Sequence, residues 1–191
     1  MVRDEISERA GRLAEGDRLE IMLLGAPSAD QPAEMSTLFA ACRPKSPENA
    51  GLDKGSQVLA KQLQSDWVEP LKEALSLIDS RMGIPATTTP LAASLKALRA
   101  RMAAQHKELI VFSDMLNNTN TLNHYGPAQD FATLREQRVD EAMVDGLFAG
   151  TEITVYQMLS ATALARQARA QKFWDEWLAA SGGSRIYFSR I

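Results

Sequence analysis

Three nearly continuous apolar runs constrain what this chain can fold into more than any other feature of its sequence. They are RLEIMLL (Arg18–Leu24), ELIVFS (Glu108–Ser113) and EITVYQML (Glu152–Leu159). A strand with one face in water alternates apolar and polar residues, whereas a strand that is covered on both faces is apolar throughout. We therefore expect the three runs to be parallel strands of one sheet, with helices on both faces of that sheet.

Segments with helical periodicity separate these runs, and turn residues bound them. The spacing predicts helices over residues 4–13, 57–81 (kinked or restarted near Pro70), 91–102, 130–148 and 161–180. A short edge strand is expected at Met35–Cys42 between two loops, and a last strand at residues 185–188. Strands that alternate with helices indicate an α/β fold with a mostly parallel open sheet, in a Rossmann-type, three-layer arrangement.

Length and charge exclude several classes of protein. The 191 residues fit one domain, and 21 basic against 24 acidic residues leave a net charge of −3, with no basic stripe of the kind that nucleic acid requires. No segment has the roughly 18 apolar residues of a membrane span, and the N-terminus has no apolar leader segment. A single cysteine, Cys42, fits a reducing compartment. For the chain as given, the expected location is the cytoplasm.

The candidate binding site lies where the predicted strands end. Open α/β sheets bind ligands at the carboxyl ends of their strands, which selects residues 25–30, 114–123 and 160–162, with the turn Thr87–Thr89 nearby. A carboxylate at Asp114 beside hydroxyl groups offers the oxygen ligands that magnesium prefers. Two structural alternatives stay open: Asp114 caps the turn after its strand, and the threonines cap the helix that begins at Pro90.

Several motifs resemble a known family. LIVFSDMLNNT resembles the segment of von Willebrand factor A-like (vWA) domains in which a strand ends at an Asp, and TTPLAASLKAL resembles the Thr loop and helix that precede it there. GDRLEIMLLG, ACRP and KFWDEWLAASGG resemble a bacterial branch of the same group, so the resemblance spans nearly the whole chain. It implies a metal site shared by an Asp-x-Ser-x-Ser loop, a Thr loop and an Asp loop. Thr89 and Asp114 match the last two.

The sequence departs from the vWA pattern at its first strand. That strand would carry the Asp-x-Ser-x-Ser loop and precede helix one, but this sequence begins at helix one. Three explanations stay open: the chain is truncated, a neighbouring chain supplies the strand, or the flanking strands pair directly. For an isolated chain we expect the third, with Ile21 and Met22 paired to Ile110 and Val111, because buried backbone groups are almost never left without partners.

The resemblance implies a protein-interaction module with a degenerate metal site. Its partner-binding residues would be Thr88, Thr89, Asp114, Asn117 and Asn118. No cofactor is expected, and magnesium is expected to bind only if a missing N-terminal strand supplies ligands. The partner is another protein of unknown identity, and a homo-oligomer is left open.

The alternative function is a magnesium-dependent hydrolase or phosphatase-like enzyme that uses Asp114. Such an enzyme needs a second group beside that carboxylate, for which the candidates are Asp30, Asp130 and Ser113. His106 and His124 are too isolated to suggest a catalytic pair, and no nucleotide-binding glycine motif is present.

The aromatic cluster of the last helix is expected to be mostly core. Phe173 and Trp174 are adjacent in sequence, so we expect that both rings cannot face inward fully and that part of one is open to a partner.

Overall fold

The computed structural model describes residues 1–25, 35–49, 55–81, 89–102 and 107–190, without the side chains of residues 185–188. The chain divides into two compact units. The first contains α1 (Val2–Arg12), β1 (Arg18–Leu24), β2 (Met35–Cys42), α2 (Ser56–Leu63) and α3 (Glu69–Arg81). The second contains α4 (Leu91–Arg101), β3 (Lys107–Ser113), α5 (Phe131–Glu136), β4 (Thr151–Gln157), α6 (Leu164–Ala180) and β5 (Ser184–Arg190). That both units form one domain stays a prediction.

In the first unit, β1 and β2 form a two-stranded antiparallel sheet. The predicted helix over residues 57–81 is present but interrupted: a π-helical turn at Gln64–Val68 separates α2 from α3. The cause is Pro70, which has no N–H to donate to the carbonyl four residues earlier, so the preceding turn widens. The confirmed irregularity therefore lies just before the proline. Trp67, which lies in this turn, is buried and meets the Phe39 ring edge to face at 5.2 Å.

In the second unit, β3, β4 and β5 form a parallel sheet in that order. The central strand β4 is buried on both faces, as its apolar sequence predicts, and β3 is the first of the three described strands of this sheet. The mixed α/β class and the parallel pairing of β3 with β4 are therefore confirmed. The core of this unit includes Leu109, Ile153, Val155, Trp174 and Trp177.

The prediction that all three apolar runs share one sheet is wrong. β1 belongs to the antiparallel pair, where Ile21 lies opposite Phe39 and Met22 opposite Thr37. Ile110 and Val111 instead pair with Thr154 and Val155, so the expected pairing between β1 and β3 is also wrong. Strands that follow each other in sequence pair most often, and β2 is the next strand after β1 in the chain.

The predicted helix over residues 130–148 is also wrong in most of its length. Only Phe131–Glu136 is α-helical, followed by a 3-10 turn at Asp140–Ala142. Arg138 adopts a positive φ of 56°, which a helix cannot accommodate, and Gly146 does so at 66°.

Candidate functional site

Asp114 begins a tight turn at the carboxyl end of β3. Its Oδ1 accepts a hydrogen bond from the Leu116 N–H at 3.0 Å, and the Ser113 Oγ accepts one from the Met115 N–H at 3.0 Å. Met115 has a positive φ of 58°, so the chain reverses and its side chain becomes fully buried. These local bonds bear out the capping alternative for Asp114. A role in binding stays a prediction.

Burial raises the pKa of the Asp114 carboxyl, and its hydrogen bonds from Leu116 and Ser113 only partly oppose that effect. A raised pKa means that the folded structure disfavours the carboxylate relative to water. At neutral pH the Asp114 charge therefore lowers the stability of the fold.

The side chain that caps α4 comes from the loop after β3. Asn117 is completely buried, and its Oδ1 accepts a hydrogen bond from the Ala92 N–H at 3.0 Å in the first turn of α4. The N-cap residue of α4, Pro90, makes no capping hydrogen bond with its side chain. Among the described residues, the cap expected from the threonine turn therefore comes from Asn117, which lies 25 positions beyond Ala92. Thr87 and Thr88 lie outside the described residues.

Backbone hydrogen bonds hold Thr89 against the same turn. The Thr89 N–H donates to the Asn118 carbonyl at 3.2 Å, and the Asn118 N–H donates to the Thr89 carbonyl at 2.9 Å. Three of the predicted partner-binding residues therefore lie close together beside the turn that Asp114 begins. They are Thr89, Asn117 and Asn118. Asn117 cannot meet a partner, because it has no exposed surface.

Gln167 joins the ends of β3 and β4 to α6. Its side chain is buried, and its Nε2 donates to the Met158 carbonyl at 2.7 Å and to the Asp114 carbonyl at 3.3 Å. Its Oε1 accepts from the Ser160 N–H at 3.1 Å. One glutamine thus fixes both loops that leave the carboxyl ends of the strands. The sequence analysis missed it, although a glutamine on the otherwise apolar face of a helix was a signal.

Tyr125 and Arg166 form a charged aromatic pair near Asp114. The Arg166 guanidinium lies 5.3 Å from the centre of the Tyr125 ring, a cation–π distance, and 45% of Tyr125 is exposed. Partial burial raises the pKa of the Tyr125 hydroxyl, and the negative charge of Asp114 adds to the effect. The positive charge of Arg166 opposes this rise, so both charged side chains act on the Tyr125 hydroxyl.

Two exposed leucines border the same end of the sheet. Leu159 follows β4 and Leu164 opens α6, with exposures of 42% and 52%. They line a notch of about 280 Å³ together with Gln157 and Gln167. The sequence analysis selected the adjoining residues 160–162 as a binding loop but did not predict that these two leucines are exposed.

His124 is buried beneath the loop after β3. Its Nδ1 accepts a hydrogen bond from the Asn117 N–H at 3.1 Å, so the neutral ring carries its proton on Nε2, which has no partner among the described residues. Burial lowers the pKa of His124 to about 4, although the nearby Met115 carbonyl favours the charged form. The ring meets Phe173 edge to face at 5.2 Å.

The expectation that one ring of the Phe173–Trp174 pair stays open is wrong. Phe173 is 2% exposed and Trp174 is fully buried. His124 and Phe131 cover the Phe173 ring, while the Trp174 indole N–H donates to the Met115 carbonyl at 2.8 Å. The loop between β3 and α5 thus covers a second side of α6.

The predicted metal ligands, Asp114 and Thr89, do not by themselves fit a tightly held magnesium ion. Magnesium requires an octahedral shell of oxygen ligands, and an oxygen of Asp114 already binds the Leu116 N–H. The part of the chain that the structure describes contains no group of three or more His, Cys, Asp or Glu side chains arranged for a metal.

Of the three candidates for the second group of an enzyme, Ser113 is placed beside Asp114, where its side chain hydrogen-bonds to that carboxyl. Asp130 caps α5, where its carboxylate accepts from the Thr133 N–H at 2.8 Å and from the Thr133 hydroxyl at 2.7 Å. Asp30 and His106 are outside the described residues.

Comparisons with family models, with curated proteins and with solved structures found no match for this chain. Among its described helices, none combines the length and apolar character needed to cross a membrane.

Proposed function

We propose that this chain is a protein-interaction module that recognises its partner at the carboxyl ends of β3 and β4. The observation that carries the proposal is the set of side chains exposed there. They are two leucines, a tyrosine stacked under an arginine, and a half-buried carboxylate: Leu159, Leu164, Tyr125, Arg166 and Asp114. Aromatic residues and arginine beside apolar side chains are the composition of interface hot spots.

The rigidity of this surface supports the same function. Gln167 holds the backbone of both loops, and Asn117 ties the loop after β3 to α4. A partner that binds such a preorganised surface does not have to order it first, and less binding free energy is lost.

The destabilising charge of Asp114 also supports a role of this surface in binding a partner. A carboxylate whose pKa is raised by burial weakens the isolated fold at neutral pH. A contact with a donor group of a partner would compensate for that cost. Asp114 is accordingly the residue at which binding and stability should oppose each other.

We also propose that the class of module is vWA-like, with a three-layer sheet and a degenerate metal site. The parallel order of β3, β4 and β5 and the position of Asp114 at the end of β3 support this proposal. The separate antiparallel pair of β1 and β2 is the point at which the architecture differs from the expected single sheet.

Photo-crosslinking tests the interaction surface. A benzophenone amino acid in place of Tyr125 should give one discrete, saturable adduct in extracts of cells that produce the protein. The matched control replaces Leu77 of α3, which is 48% exposed in the first unit. Leu164→Ser should abolish the adduct, whereas Asp114→Asn should weaken it and leave the melting temperature unchanged or higher. Equal adducts from both positions, or no saturable adduct from position 125, would refute the proposal.

A further inference from the structure

A groove of about 430 Å³ lies along one side of α6, between that helix and the segment that leads into α5. Its volume falls in the range of ligand-binding clefts. Phe131 and Phe173, which are 6% and 2% exposed, lie beneath it and meet edge to face at 5.8 Å. The groove therefore has an apolar, well-packed base.

Three cations of α6 line this groove at intervals of three residues: Arg166, Arg169 and Lys172. Residues at this spacing lie on neighbouring turns of one helix face. Among the described residues, none of the three forms an ion pair within 4.0 Å, although Arg166 stacks on Tyr125. A chain with a net charge of −3 thus concentrates three cations at one groove.

Two acidic residues, Asp130 and Glu176, also line the groove, and they determine which end of it is positively charged. Asp130 uses its carboxylate to cap α5, and the charge of Lys172 further lowers its pKa. Glu176 lies one turn beyond Lys172. The uncompensated positive charge is therefore at the Arg166–Arg169 end, and the Glu176 end is neutral to acidic.

The length of the groove indicates the kind of ligand. Arg166 and Glu176 are ten residues apart on α6, which corresponds to about 15 Å along the helix axis. An extended peptide of about five residues spans that distance. Nucleic acid fits less well, because the rings beneath the groove are buried and cannot stack on bases, and the two carboxylates would repel phosphates.

We propose that this groove binds a short, extended segment of a partner protein that carries acidic side chains at one end and apolar side chains at the other. The acidic side chains would contact Arg166 and Arg169, and the apolar ones would lie against the exposed Pro127 and Ala128. This site differs from the surface at the ends of β3 and β4, with which it shares only Arg166.

Fluorescence anisotropy with labelled synthetic peptides of about eight residues tests the proposal. The probe carries two glutamates followed by leucines. It is compared with the same peptide in which glutamines replace the glutamates, and with a single-stranded oligonucleotide of equal charge. We expect only the acidic peptide to bind, with affinity that falls as salt is added.

Arg169→Gln should weaken binding of the acidic peptide by up to about fivefold, which is the effect of an exposed ion pair. Lys172→Gln should have a smaller effect, because the charge of Lys172 already acts on Asp130. Lys61→Gln, which makes the same charge change at an exposed position of α2, is the matched control and should have no effect. Ala128→Glu adds a negative charge at the rim and should abolish binding.

Equal affinity for the acidic and the glutamine peptide, or equal affinity for the oligonucleotide, would overturn the proposal. It is also overturned if the double variant of Arg169 and Lys172 binds like the wild type while its circular dichroism is unchanged. Leu164→Ser should leave peptide binding intact, so a failure of this site is distinguishable from a failure of the surface at the strand ends.

Discussion

The Asn117→Ala substitution is the sharpest test of how the loop after β3 is held. Asn117 is fully buried, and its side chain bonds to the Ala92 N–H, to the Leu122 carbonyl and to the Thr119 hydroxyl. The Leu122 carbonyl keeps its bond from the Thr119 N–H at 3.0 Å after truncation. The substitution therefore leaves one buried donor without a hydrogen-bond partner. That donor is the backbone N–H of Ala92, a residue that is fully buried and closed to water.

The expected loss in the free energy of unfolding follows from this one unpaired N–H. A buried donor without a partner costs about 1 to 3 kcal/mol, and the small cavity left by the missing amide adds about 0.5 to 1 kcal/mol. We expect the free energy of unfolding to fall by about 1.5 to 4 kcal/mol. For a chain of this size a loss of 3 kcal/mol lowers the melting temperature by about 6 to 12 °C.

Urea unfolding followed by tryptophan fluorescence measures this loss. A Trp67→Phe background removes the tryptophan of the first unit, so the signal comes from Trp174 and Trp177, which share the second unit with Asn117. Asn120→Ala is the matched control, because it makes the same change at an exposed position three residues away. If the two variants differ by less than about 0.5 kcal/mol, the capping argument is refuted.

Two further predictions concern protons and magnesium. The folded protein holds the pKa of His124 at about 4, below its ordinary value of 6.5, so the unfolded chain binds more protons between these values and stability falls by up to about 3 kcal/mol as pH drops through them. His124→Asn, which can keep an acceptor for the Asn117 N–H, should remove that part of the pH profile in urea titrations; an unchanged profile would contradict the assignment. Millimolar magnesium should not raise the melting temperature, and a rise that is lost in Asp114→Ala would instead establish a metal site.

Local sequence patterns predicted the individual elements well. β1 and β2 begin and end at the residues expected from their apolar runs and bounding turn residues, and α1 and α6 lie within two to three residues of their predicted ends. These features depend on residues close in sequence, such as the glycines that follow α6. The helix predicted over residues 130–148 was wrong because the apolar residues there have only weak helical periodicity and Arg138 adopts a positive φ.

Pairing between strands could not be read from the same patterns. A continuous apolar run indicates burial on both faces, but it does not say which strand lies beside it. The residues around β1 gave no sign that β2 would bend back on it in an antiparallel pair.

The candidate site was predicted only in part for a similar reason. Asp114, Thr89 and Asn118 were found because strand ends are visible in the sequence. The link through Gln167 joins residues 53 positions apart, and the cap from Asn117 joins residues 25 positions apart. Contacts at such separations depend on the tertiary fold, which one sequence does not display.

Among the strands that the structure describes, β3 lies at the edge of its sheet, which has a practical consequence for handling the protein. Its centre, Leu109–Phe112, is apolar, contains no proline or charge, and pairs with β4 without a bulge. Edge strands of this kind readily recruit another copy of themselves, and short apolar β-prone segments seed ordered aggregates. Concentrated preparations should therefore lose material by self-association along this strand, and a lysine at Ile110 would be the natural gatekeeper against it.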